Sequence, residues 1–179
     1  MGIETITRQI TSTNHSGLAA VNRAQLIKIR NQGLRDCFKH LDDIPHKMEF
    51  VARIQDKCFV DDAASCNVNA TWYALESTEG PIIWIANGSS DSIDYRKLKT
   101  CVSQKVKMIL CVGEHAESLH QAFDGVVSQI IDCPSMEYAV NRALYGNVET
   151  ATVIYSPSTQ SGVSVKESGA AFRREVCEL

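Results

Sequence analysis

The chain has 179 residues, 44% hydrophobic and 22% charged, with a formal net charge of -3, seven cysteines and no C-x-x-C pair. This fits one domain with a real core plus a short appended segment, and excludes disordered and fibrous classes. The acidic balance without a Lys/Arg-rich run excludes nucleic acid and an anionic membrane surface as partners, and the unpaired thiols point to a reducing, cytoplasmic setting.

Residues 1–45 read as two helices, Gly17 to Arg30 and Gly33 to Leu41, without strand patterning, so they form an appendage to the domain over 46–179. Met1 to Thr13 lacks an apolar run long enough for a signal-peptide core, and no later window approaches about 18 apolar residues. From Glu49 onward, short β-branched runs alternate with helical periodicity, the signature of successive βα units. The expected strands are Glu49 to Arg53, Cys58 to Asp61, Pro81 to Ala86, Val106 to Val112, Gln129 to Ile131 and Ala151 to Tyr155. The apolar runs over 82–86 and 108–112 suit central strands covered on both faces.

Helices are expected where a capping residue precedes an apolar stripe. Asn67 leads Val68, Trp72 and Leu75; Asp94 leads Tyr95, Leu98, Cys101 and Val102; Ser135 leads Met136, Ala139, Val140, Ala143 and Leu144, with Gly146 closing. His115 and His120 are placed on one further helix, and the stretch from Lys166 to Leu179 reads as a closing helix. The sum is an α/β fold, a Rossmann-like, mostly parallel sheet of about six strands flanked by helices.

Chemistry-bearing motifs are sparse. There is no G-x-x-x-x-G-K-[ST], so the phosphate cradle of P-loop enzymes is missing, and no G-x-S-x-G, H-E-x-x-H or zinc-spaced cysteine pair occurs. His115 and His120 are five apart, not the i, i+4 spacing of two ligands on one helical face, so no metal site is assigned. No residue is assigned a catalytic role. Asp61 and Asp62 end a strand, where open α/β sheets bind ligands, although paired aspartates there more commonly form turns.

Ordered segments carry a family resemblance. Pro45-His46-Lys47-Met48-Glu49-Phe50-Val51, Phe59-Val60-Asp61-Asp62, the run from Asn67 to Glu76, Trp84-Ile85-Ala86-Asn87-Gly88, the run from Ile109 to Gly113, Ser156-Pro157 and Phe172 to Leu179 resemble the C-terminal domain of the D-glutamate-adding Mur ligases (MurD). Residues from Asn14 to Leu41 resemble the last helices of that family's central domain. The resemblance implies the Mur ligase C-terminal fold, and ATP and Mg for the full-length family with no cofactor for this chain alone. It assigns nucleotide contacts to Lys47, Asp62 and Asn67, and a substrate contact to Ser161.

Departures fall on the chemistry. Where the family reads N-D-S-K-A-T-N, this chain has Asp61-Asp62-Ala63-Ala64-Ser65-Cys66-Asn67, so a lysine becomes Ala64 and a threonine Cys66. A nucleotide-contacting arginine becomes Lys47, which loses the planar fork. The family's G-G-x-D-K-G loop becomes Asn87-Gly88-Ser89-Ser90-Asp91-Ser92, replacing a substrate-pairing lysine by Asp91; a substrate-packing aromatic is absent; the acidic-Arg-Gly triplet survives as Glu167-Ser168-Gly169. The expectation is a catalytically silent domain with a binding or regulatory role, either at the strand ends near Asp62, Asn67, Gly88 and Ser161 or toward a protein partner such as a Mur ligase. The alternatives are part of a peptidoglycan-precursor ligase needing a separate ATP-binding domain, and an unrelated small-molecule-binding module.

Overall fold

The computed structural model describes Gln32 and residues 44–89, 93–159 and 162–179. The helices expected over Gly17 to Arg30 and Gly33 to Leu41 lie outside the described residues, as do Asp91 and Ser161. The described residues from Ile44 onward belong to one compact unit.

The chain enters through a hairpin, β1 (Glu49–Ile54) and β2 (Lys57–Asp61), whose strands are antiparallel and whose tight turn puts Gln55 in the left-handed region at φ 51. A register shift at Val51 bends β1, the edge strand. All later pairings are parallel: β2 with β6 (Ala151–Tyr155), β6 with β3 (Ile82–Asn87), β3 with β4 (Val106–Val112), and β4 with β5 (Gln129–Cys133). The order is therefore β1-β2-β6-β3-β4-β5. The run Ile82-Ile83-Trp84-Ile85-Ala86 is wholly buried in the middle of the sheet, as a strand covered on both faces requires.

Among the described residues from Ile44 onward, five α-helices cover the two faces: α1 (Val68–Ser77), α2 (Lys99–Lys105), α3 (Glu117–Phe123), α4 (Met136–Tyr145) and α5 (Val165–Cys177). A 3-10 turn at Tyr95–Lys97 precedes α2, with Asp94 accepting from the Arg96 N–H, so the periodic stretch that follows Asp94 splits in two. Asn67 caps α1 by accepting from the N–H groups of Asn69 and Ala70, Ser135 caps α4, and Ser164 and Glu167 close a reciprocal capping box on α5.

One face packs Phe59, Tyr155 and Phe172 beneath α4 and α5, with the Tyr155 and Phe172 ring centroids 5.4 Å apart. The other packs Trp84 edge-on to Phe123 at 5.7 Å, with Tyr95 against Phe123 at 5.6 Å. His115 differs from expectation. It precedes α3 in a left-handed conformation, φ 65, because the chain turns there to let the Ser89 N–H bond its carbonyl. Among the described residues, no helix is long and apolar enough to cross a membrane.

Candidate functional site

Parallel pairing brings the carboxyl ends of β2, β3, β4 and β6 to one edge, and the polar residues of the sequence gather there. β6 runs into α5 on one face of the sheet while its neighbour β3 leads to the 3-10 turn and α2 on the other, which opens a crevice beyond their ends.

Asp62 is fully buried rather than solvated in a turn. Its backbone N–H donates to the Tyr155 carbonyl at 2.9 Å, fixing the end of β2 against β6. Its Oδ1 accepts from Lys47 Nζ at 2.8 Å and from the Met48 N–H at 3.3 Å, while Lys47 also donates to Ser65 Oγ and lies over the Tyr73 ring. Lys47 is itself only 8% exposed. Burial pushes the Asp62 carboxyl above the usual carboxylate range, opposed by the Lys47 charge and by the nearby Ser65 and Ser156 hydroxyls. Asp62 Oδ2 accepts no bond of ordinary geometry. Around this pair, Thr71 Oγ1 lies 2.9 Å from Ser156 Oγ and Trp84 Nε1 donates to the Ser156 carbonyl at 2.8 Å.

Of the residues that the family resemblance assigns to nucleotide contact, Lys47 and Asp62 come together, but toward each other. Asn67 lies on the same loop, with its side-chain oxygen taken by the start of α1. Cys66, standing where the family has threonine, donates its thiol to the Ala63 carbonyl, and burial together with the Asp62 charge pushes its pKa up. Burial raises Cys101 to about 11, Cys111 to about 12 and Cys133 to about 11. These thiols stay protonated near neutrality and are poor nucleophiles.

A second cluster ties the chain entry to α5. His46 Nδ1 and Arg173 Nε both lie 2.7 Å from Asp61 Oδ2, Arg173 also pairs with Glu49, and the His46 N–H donates to Glu49 Oε1 at 3.1 Å. His46, Glu49 and Asp61 bring ligand-type atoms within 4.8 Å of one another. A metal ion does not fit there without displacing the guanidinium that already bonds both carboxylates. His46 packs so closely on α5 that a Cβ at Gly169 would lie 2.2 Å from its ring. Sequence reasoning missed this cluster, although a glycine inside a helical pattern is a signal of close approach.

Beyond the ends of β3, β4 and β6 lies a cleft of about 360 Å³, walled by Val112, Met136, Val163 and Ala171, with Tyr155, Asn87, Gly88, Glu114, Glu167 and Ser168 also reaching it. None of its described lining residues is Lys, Arg or His. The described residues do not fit a nucleotide either: Lys47, the one cation that the motif supplies, is buried and engaged, and position 64 is alanine.

The fold, a parallel sheet with an antiparallel edge hairpin, helices on both faces and a polar cluster at the strand ends, is that of a Mur ligase C-terminal domain. Among solved structures, a murein peptide ligase from Psychrobacter arcticus 273-4 superposes with a TM-score of 0.51 at 14% identity, over 75% of this chain and 29% of that one. A domain from a putative UDP-N-acetylmuramate:L-alanyl-gamma-D-glutamyl-meso-diaminopimelate ligase of Haemophilus ducreyi 35000HP also gives 0.51, at 7% identity, over 73% of this chain and 97% of that one. No family model matches the chain.

Sequence relatives narrow the class: this chain is a homologue of the C-terminal domain of the MurD ligases. The UDP-N-acetylmuramoylalanine--D-glutamate ligase of Porphyromonas gingivalis (strain ATCC 33277) is 33% identical over 168 residues, 92% of this chain and 37% of that protein. The ligase of the same name from Christiangramia forsetii is 34% identical over 167 residues, 92% of this chain and 38% of that protein. The chain thus spans little more than a third of the length of these relatives.

Proposed function

We propose that this chain is a MurD C-terminal-type domain without ligase chemistry of its own, acting as a binding or regulatory domain through the carboxyl end of its sheet. The observation that carries this reading is the inward Lys47–Asp62 pair. A lysine and an aspartate that would otherwise face a nucleotide neutralise each other inside the domain, and turning Lys47 outward leaves Asp62 as a buried, uncompensated carboxylate. The same loop holds Ala64 and a protonated Cys66, and no cation lines the cleft among its described residues, so an anionic amino acid gains nothing there.

A second reading has one observation in its favour, the 37% coverage of the P. gingivalis relative, which makes the chain comparable to one portion of a ligase rather than to the whole. Phosphate release separates the two. The purified chain is mixed with ATP, Mg, UDP-N-acetylmuramoyl-L-alanine and D-glutamate, alone and then with the P. gingivalis ligase truncated to remove its matching portion. The binding reading predicts background release in both mixtures. Release that depends on D-glutamate in the second mixture establishes the ligase reading.

A further inference from the structure

We infer that the cleft at the ends of β3, β4 and β6 is a site for a small organic cation, a primary amine carried on an apolar body. The inference rests on the reading of the chain as a binding domain and names the ligand class of that site.

The charge of the lining sets the sign. Glu114 and Glu167 reach the cleft and no Lys, Arg or His does so among the described lining residues. Glu167 is held in place: its Oε2 accepts from the Ser164 N–H at 3.1 Å and from Ser164 Oγ at 2.7 Å. Those bonds keep its carboxyl below the usual range and hence ionised near neutrality. Two helices also begin at this edge, α4 at Met136 and α5 at Val165, and their amino ends favour anions. Each, however, carries a glutamate in its first turn, Glu137 and Glu167, which offsets its partial positive charge. The charge of Glu114 is then left over.

The shape supplies the rest. Val112, Met136, Val163 and Ala171 give apolar walls, and Tyr155, 1% exposed, closes the inner end, donating its hydroxyl to Asn87 Oδ1 at 3.3 Å. A volume of about 360 Å³ lies within the range of small-ligand clefts. The rim is preformed. The Gly88 N–H donates to the Val112 carbonyl at 3.0 Å and the Ser89 N–H to that of His115 at 2.9 Å. A Cβ at Gly88 would lie 1.9 Å from the Glu114 carbonyl, so only glycine lets these two loops lie together. A cleft with apolar walls and two exposed carboxylates at its rim favours an amine with a hydrophobic body over a carboxylate.

The test uses one ring with three charges. The amide resonances of the full chain are followed by NMR during titration with benzylamine, benzyl alcohol and benzoate, and with D-glutamate. Benzylamine is expected to shift the amides of Gly88, Gly113 and Ser168, to lose affinity as salt is added, and to bind roughly fivefold more weakly to Glu114→Gln and to Glu167→Gln. Glutamine at 167 can still complete the capping box, so α5 keeps its start. Benzoate or D-glutamate shifting those amides as strongly as benzylamine, or benzyl alcohol binding as well as the amine, overturns the cation assignment while leaving a binding domain. Silence from all four probes overturns the inference at this cleft, and phosphate release still decides the ligase question separately.

Discussion

Lys47 shows how a single side chain decides what the motif can do. A buried ion pair adds little net stability over an apolar pair of the same volume, yet removing one partner leaves the other charged in a dry site. Lys47→Met is therefore expected to destabilise the domain by about 3–5 kcal/mol in urea unfolding, and Lys47→Met/Asp62→Asn to recover most of that loss. Equal losses in the single and double variants would mean that the lysine matters for something other than Asp62. His120 offers a milder case at the surface. It lies 2.9 Å from Asp132 and 3.4 Å from Asp124, and the Asp132 bond leads the effects that raise its pKa above 6.5. A raised folded-state value means that its contribution is complete below pH 6.5 and disappears as pH rises through the folded-state pKa. At this exposed site it is worth at most about 1 kcal/mol. Stability measured from pH 6 to 8 should thus fall more in the wild type than in His120→Gln, and parallel curves would show that the pair is inert. The family resemblance assigned Lys47, Asp62 and Asn67 to nucleotide contact, three residues that the structure places on or beside one loop. It did not show that Lys47 and Asp62 face each other, because direction depends on how β2 docks against β6, a contact made 93 residues later in the chain at Tyr155.

At the scale of elements, the entry segment, the β2 end and α5 are held by His46, Asp61 and Arg173, with Gly169 making room. Alanine ordinarily favours a helix over glycine by about 1 kcal/mol, so the outcome of Gly169→Ala turns on the His46 ring. With a Cβ only 2.2 Å from Nδ1 and that nitrogen held by Asp61, the clash dominates. The variant should lose about 1–3 kcal/mol, and His46→Ala in the same chain should restore stability. A stabilised Gly169→Ala alone would show that the ring moves freely. Asn67→Ala removes the acceptor for two N–H groups at the start of α1 and should cost about 1 kcal/mol in thermal unfolding. Most elements were legible because their periodicities are strong: the six strands and the caps at Asn67, Ser135 and Asp94 follow directly from residue type. Sheet order was not, since insertion of β6 between β2 and β3 leaves no mark in local pattern. Nor was the left-handed turn at His115, a conformation that loop contacts impose against the preference of the residue.

On the scale of the whole molecule, the hydrophobic framework carries the fold and the strand-end edge carries the polar chemistry. Trp84, Ile109 and Val153 are each fully buried in the sheet, and Phe123 and Phe172 fill its two faces, so the Mur ligase C-terminal fold persists. At the edge, a lysine and a threonine of the family pattern are Ala64 and Cys66, the remaining cation is buried, and the cleft carries carboxylates. Fold could be anticipated because many apolar positions report it redundantly. The charge of the cleft could not, because it is assembled from Glu114 and Glu167, which lie on separate elements and look like ordinary surface acids in the sequence. The most direct measurement is the unfolding temperature of the purified chain with millimolar ATP–Mg or D-glutamate, since a ligand that binds the folded state raises its stability by RT ln(1 + [L]/Kd). An unchanged midpoint with both is the predicted result; a rise with either one that disappears in Lys47→Met would contradict an edge whose only motif cation is engaged within the domain.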